Sequence, residues 1–196
     1  MTTAICLTAG MAAVDVAGQL AGQGYAVLRG VVPEDAVERA LRHLHLDIVR
    51  NGLPAEQLGE WLWASHWFPH LKWDEPIASL VEHLPDELRS GDMCDPQILL
   101  QPPDDCDDVE LVPHVDQIPD WAGGRQYLRI VGFALSAAGP ETGNLVVWPF
   151  DRADPEPLEV EPGDVVVMHP QLPHSSGLNR EGRIRYAVYV RFLEPA

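Results

Sequence analysis

From Gln97 to the C-terminus the chain is a series of short apolar and β-branched runs separated by Gly and Pro turns: Ile98–Gln101, Leu111–Asp116, Tyr127–Leu135, Asn144–Trp148, Leu158–Val160, Asp164–Met168 and Arg183–Phe192. Runs this short and this regularly punctuated must bury one another, and the spacing is that of an all-β barrel or jelly roll. Upstream, Pro33 to Arg50 repeats apolar residues at Val37, Ala40, Leu41, Leu44 and Ile48 behind an initial proline, which is the period and the start signal of a packing helix. Glu56 to Trp63 and Pro76 to Leu84 read as two further short helices. With 196 residues, 46% of them hydrophobic, the chain can bury a full core as a single domain. The expected organisation is therefore mainly β with N-terminal helices: a lead over 1–23, a helical part over 24–96 and a jelly-roll core over 97–196.

Within the β part, His114-Val115-Asp116 can present an imidazole and a carboxylate to one point, because residues i and i+2 of an extended chain share a face. His174 follows the strand-like run Gly163–Met168 and would stand beside that pair if the two strands were neighbours. Two histidines and one carboxylate on one side of a metal leave the other side open, the arrangement of non-haem Fe(II) oxygenases. A lone His-X-Asp is as readily an ordinary surface or core contact, so the context has to decide. Arg185, eleven positions beyond His174, lies in the strand-like run Ile184–Val190. A guanidinium turned inward from such a strand needs a carboxylate partner, and a dicarboxylate co-substrate would provide one.

These residues resemble the phytanoyl-CoA dioxygenase-like branch of the Fe(II)/2-oxoglutarate-dependent oxygenases. The likeness runs along most of the chain: Gly24–Glu34 is similar to the family's opening strand and the start of its first helix, and Gly132–Leu135 with Glu141–Pro149 to the segment that follows its His-X-Asp. The most specific stretch runs from Gly163-Asp164-Val165-Val166 through His174-Ser175-Ser176-Gly177-Leu178-Asn179 to Arg185-Tyr186-Ala187. The resemblance implies a double-stranded β-helix (jelly-roll, cupin-like) core, with His114, Asp116 and His174 as ligands of Fe(II). It implies that Ser176 and Arg185 hold the distal carboxylate of 2-oxoglutarate. It also implies the reaction: O2 is consumed, 2-oxoglutarate is decarboxylated to succinate and CO2, and hydrogen is taken from a substrate carbon. Because Asp116 fills the position that halogenating relatives leave for chloride, the resemblance implies hydroxylation, or a related desaturation or cyclisation.

The chain departs from the family pattern in three places. Pro149-Phe150-Asp151 stands where relatives continue Pro-Gly-Ser-His, the Gly143-to-His174 connection is short, and Gly132 occupies a position that is a bulky aromatic in some relatives. The first two bear on the substrate and its cover; the third would leave extra room at the co-substrate or shift how it is braced.

Other features bear on the ligand. Trp61, Trp63, Trp67, Phe68 and Trp73 offer rigid surfaces for a small-molecule pocket, although packing of helices on a sheet accounts as well for any one of them. From these, Trp63 and Trp67 are expected to touch substrate, and Arg129, with Arg125 beside it, is an alternative anchor for a substrate carboxylate. The acidic run Asp104, Asp105, Asp107, Asp108 and Glu110 is a solvated loop that, if it overhangs the metal, favours a cationic or amine-bearing substrate over an acyl-CoA. His169 competes with His174 as third ligand but lacks the Ser and Arg spacing. His66 and His70 are four apart, yet Pro69 interrupts a helix there. His43 and His45, in the predicted helix, read as surface or core-edge side chains.

The formal net charge of −17 disfavours nucleic acid and anionic membranes as partners, and no run is apolar and long enough to span a bilayer. The N-terminus has no basic n-region, so Ile5–Ala13 reads as a loosely packed lead and not a signal peptide. Cys6, Cys94 and Cys106 are odd in number and without Cys-X-X-Cys spacing, which fits a reducing cytoplasm. The expected partner is a small-molecule substrate, with an oligomer allowed. Two other classes stay open: a cupin-type metal enzyme using the same triad without 2-oxoglutarate, such as an isomerase or cofactor-free dioxygenase, and a non-catalytic binding barrel.

Overall fold

The computed structural model describes residues 15–51, 62–63, 77–103, 111–116 and 123–195. Among these described residues, two helices, α1 (Val16–Gly22) and α2 (Glu34–Asn51), and two 3-10 turns (Ala78–His83 and Asp86–Leu88) accompany nine strands. The strands are β1 (Tyr25–Leu28), β2 (Leu62–Trp63), β3 (Asp92–Gln101), β4 (Tyr127–Ala134), β5 (Leu145–Val147), β6 (Glu156–Pro157), β7 (Val165–Met168), β8 (His174–Ser176) and β9 (Arg185–Leu193). They form a six-stranded sheet in the order β1-β7-β4-β9-β3-β2 and a three-stranded sheet in the order β6-β5-β8, with antiparallel pairing throughout. This is the jelly-roll architecture expected from the spacing of the runs.

Alternation along the large sheet divides its side chains between two cores. Val131 and Phe133 of β4, Val165 and Val167 of β7, and Val188, Val190 and Phe192 of β9 face outward, where Val37, Ala40 and Leu44 of α2 cover them. Ile130, Val166, Met168 and Tyr189 face the other way, toward Leu145 and Val147 of the small sheet. The period of two thus delivers one apolar layer to the helix and another to the interior between the sheets. Leu44 is 1% exposed, and burying such a side chain contributes about 1.5–3 kcal/mol.

Several local expectations change. The 1–23 lead includes a helix: Asp15 caps α1 by accepting from the amide of Gly18 at 2.9 Å, and Val16 is buried. Ile5–Ala13 lies outside the described residues. Of the expected helix 56–63, only Leu62–Trp63 is described, and it is a strand on the edge of β3, in register with Leu100 and Leu99. An open sheet edge there outweighs local helical preference. The helix expected over 76–84 is a 3-10 turn over Ala78–His83. Leu111–Asp116 is not a continuous strand; it touches the sheet through a single bridge at His114.

Candidate metal centre

That bridge builds the site. His114 and His174 exchange backbone hydrogen bonds, N to O in both directions, each at 2.9 Å. Residues opposed in this way project their side chains to the same side, so the two rings lie with centroids 4.5 Å apart. The neighbour of the His-X-Asp segment is therefore β8, which carries His174 itself, and not the Gly163–Met168 run before it. Asp116, two residues beyond His114, turns to the same place: its Oδ1 lies 3.9 Å from His114 Nε2 and 3.6 Å from His174 Nε2. One donor atom from each of the three residues falls within 4.8 Å of the others.

The electrostatics suit a cation. His174 Nδ1 lies 2.9 Å from the carbonyl oxygen of Leu172, which can only accept, so Nδ1 carries the proton and the Nε2 lone pair faces the other donors. Burial pulls the His174 pKa below its ordinary value, against the opposing pull of the Leu172 carbonyl and Asp116, and this keeps the imidazole in the neutral form a metal requires. Two imidazoles and one carboxylate, gathered on one side, fit Fe(II). His169 is elsewhere: its ring meets Phe150 edge-on at 5.3 Å, and its Nδ1 accepts from the amide of Gln171.

The triad opens on a cavity of about 430 Å³ lined by Leu99, Ile130, Leu145, Met168, Ser176, Tyr189 and Arg191 among others. Ser176 lines this cavity beside the triad. Arg185 is buried on the same face of β9 but beyond Leu145 and Tyr189, which line both the metal cavity and a small cleft beside Arg185. Its Nη1 donates to Gln101 Oε1 at 3.3 Å and to the carbonyl of Gly143, and its Nη2 lies 3.1 Å from the Tyr189 hydroxyl. Gly143 must be glycine: its φ is +71°, and a Cβ there would stand 2.3 Å from Gln101 Oε1.

Arg129 is not brought to this cavity. It donates to the carbonyls of Leu88 and Ser90 at 2.8 and 2.9 Å and stands over the Phe192 ring. Arg125 pairs with Asp92. Trp63 is described as backbone only, in β2, while Trp67 and the acidic run 104–110 lie outside the described residues. The sequence reading missed Arg191, Gln97 and Tyr189. A signal existed: Tyr189 and Arg191 stand four and six residues beyond Arg185 in one strand, and an even spacing puts all three on one face.

The model of the family described as Phytanoyl-CoA dioxygenase (PhyH) matches residues 113–187, from just before His114 to just after Arg185. The matched region is phytanoyl-CoA dioxygenase-like. Three solved structures share the fold over most of the chain. The non-heme alpha ketoglutarate dependent carbocyclase SnoK from nogalamycin biosynthesis is 18% identical with a TM-score of 0.67, over 92% of this chain and 83% of SnoK. AviO1 from Streptomyces viridochromogenes Tue57 is 22% identical with a TM-score of 0.61, over 95% and 98%. EvdO2 from Micromonospora carbonacea var. aurantiaca, complexed with 2-oxoglutarate, is 19% identical with a TM-score of 0.61, over 99% and 94%. No curated protein matches the sequence. The structural likenesses are likenesses of fold. The family match over residues 113–187 and the donor set together support the class of Fe/2-oxoglutarate-dependent enzymes. Among the described residues, no helix is long and apolar enough to cross a membrane.

Proposed function

We propose that this protein is an Fe(II)/2-oxoglutarate-dependent dioxygenase that hydroxylates an aliphatic carbon of a small molecule, such as an amino acid or a natural-product intermediate. One observation carries the reading: the donor atoms of His114, Asp116 and His174 converge on one side of an apolar cavity, within 4.8 Å of each other. Bound iron with 2-oxoglutarate supplies the oxidising power, O2 being reduced while 2-oxoglutarate becomes succinate and CO2.

The chain's own residues bind, orient and exclude water. His174 keeps its proton on Nδ1, against the Leu172 carbonyl, and offers Nε2 to the metal; His114 and Asp116 complete the face. Arg185 takes the far carboxylate of 2-oxoglutarate with Ser176 donating beside it, and the Tyr189 hydroxyl braces the guanidinium from 3.1 Å. The aliphatic walls given by Leu99, Ile130, Leu145 and Met168 keep water from the reacting carbon and accept an apolar part of the substrate. With a carboxylate as third ligand no position is reserved for a halide, which favours oxygen insertion.

The test is release of labelled CO2 from 2-oxoglutarate carrying the label at C1. Release that depends on added Fe(II) and disappears in Asp116→Ala supports the reading. Metal-dependent turnover without any requirement for 2-oxoglutarate would point to the cupin-type alternative, and absence of metal binding to a simple binding barrel. A product that gains one oxygen atom supports hydroxylation; one that loses two hydrogens would mean desaturation or cyclisation.

A further inference from the structure

We propose that Arg191 is a positioning residue that restricts Asp116 to ligation through a single oxygen, keeping the open side of the metal free. The inference rests on the metal reading above and concerns a residue outside the triad and the co-substrate anchors.

The two oxygens of Asp116 are differently employed. Oδ1 faces both imidazoles, at 3.6 Å from His174 Nε2 and 3.9 Å from His114 Nε2. Oδ2 accepts from Arg191 Nε at 2.8 Å and also from Arg191 Nη2. Arg191 is 5% exposed and the Asp116 side chain 12%, so this charge-assisted pair is screened from water on most sides. Arg191 is itself tied down. Its Nη2 also donates to Gln97 Oε1 at 2.8 Å, from β3, and its backbone lies in β9, hydrogen-bonded between β3 and β4. The guanidinium therefore cannot follow the carboxylate if the latter rotates.

Rotation is what matters. A carboxylate can ligate through one oxygen or through both, and a second bond from Asp116 would consume one of the positions a facial triad leaves open. The co-substrate chelates through two atoms and O2 needs a further place. Holding Oδ2 on Arg191 keeps those positions available. Arg191 also lines the metal cavity, which raises the alternative that it anchors an anionic ligand. Its Nε and Nη2 are turned to Asp116, however, and pulling one member from a buried pair leaves the other charge uncompensated.

Mn(II) is the probe, with exchangeable waters counted by water-proton relaxation on the full-length protein. The wild type should retain three waters on bound Mn(II). Arg191→Met should retain two, as Asp116 swings to bind through both oxygens, with Mn(II) affinity lower by about tenfold, the usual scale for losing a partner of a metal ligand. Arg191→Lys, which keeps one donor for Oδ2, should return the count to three. Should Arg191→Met fail to fold, Gln97→Leu serves in its place: it leaves both charges but unties Nη2, and should give a count below three. A count of three in Arg191→Met, or in Gln97→Leu if that variant is needed, overturns the proposal. So does weakened 2-oxoglutarate binding to the Mn(II) protein with the count unchanged, which would make Arg191 an anion anchor. Failure of the wild type to bind Mn(II) in competition with Fe(II), or binding that survives His174→Ala, would instead count against the metal reading itself.

Discussion

Gly132 of β4 lies directly opposite Tyr189 of β9, and a Cβ at position 132 would stand 2.6 Å from Tyr189 Cε1. The missing side chain is therefore not extra room for the co-substrate. Its space is filled from the partner strand by an aromatic ring whose hydroxyl reaches Arg185 at 3.1 Å. The Tyr189 ring of β9 thus occupies the space that a side chain at position 132 of β4 would take.

Gly132→Ala should therefore act at a distance. A methyl group must push the Tyr189 ring away, and overpacking of this kind costs about 1–3 kcal/mol. Thermal melting should show the loss, and isothermal titration should show weaker 2-oxoglutarate binding as Arg185 loses its brace. Adding Tyr189→Ala should recover much of the melting temperature without recovering affinity. A Gly132→Ala protein with wild-type stability and affinity would show that Tyr189 is not held by this contact.

The strand pattern was legible in the sequence because alternation and turn residues act locally, and so was the triad, since i and i+2 share a face wherever the backbone is extended. What sequence could not specify is which strand His114 would meet. His174–Ser176 is too short to announce itself as a strand, yet its bridge to His114 is what assembles the site. Arg191 and Gln97 escaped notice for a related reason: their meeting depends on the register of β3 against β9, which shifts between Cys94 and Gln97. The expected helix ending at Trp63 gave way to an edge strand through a pairing some forty residues distant in sequence, beyond the reach of local propensity.

The choice of third ligand can be decided directly. His174→Ala should lose Fe(II) binding while the barrel stays folded, whereas His169→Ala, which removes a ring packed on Phe150, should bind iron as the wild type does. Iron retention in His174→Ala would mean the wrong histidine had been chosen.

Arg185→Ala removes a buried, multiply bonded guanidinium, and truncating one partner of such a pair costs about 2–5 kcal/mol. The affinity for 2-oxoglutarate should fall by well over tenfold, with Fe(II) binding retained. Arg185→Lys should recover only part of it, because an ammonium lacks the planar fork. If Arg183→Ala has the larger effect, the assignment is wrong; Arg183 pairs with Glu181 on the surface and should have none.

Alkaline stability should carry a signature of Tyr186. Burial raises its phenol pKa, so above about pH 10 the unfolded chain releases a proton that the folded chain retains, and stability falls as pH rises. Tyr186→Phe should flatten that part of the melting-temperature profile and remove the late component of the phenolate absorbance titration. An unchanged profile would show that Tyr186 titrates alike in both states.

The edge of the large sheet points to the cover of the cavity. β2 adds the backbone of Leu62 and Trp63 to β3 opposite Leu100 and Leu99, and Leu99 lines the metal cavity. Leu62 and Trp63, the described part of the aromatic segment 61–73, therefore lie at the sheet edge beside that cavity, while the short Gly143-to-His174 connection is spent on β5, β6 and β7 and supplies no long loop. If this segment encloses the substrate, its tryptophans shield the oxidising species from water, and removing one should waste 2-oxoglutarate without loosening the fold. Trp63, Trp67 and Trp73 should each be replaced by Ala and assayed for melting temperature beside the ratio of product formed to 2-oxoglutarate consumed. A covering residue lowers the ratio and leaves melting nearly unchanged. If all three variants melt early with the ratio intact, the tryptophans are core, and the acidic loop 104–110 or a second subunit closes the site.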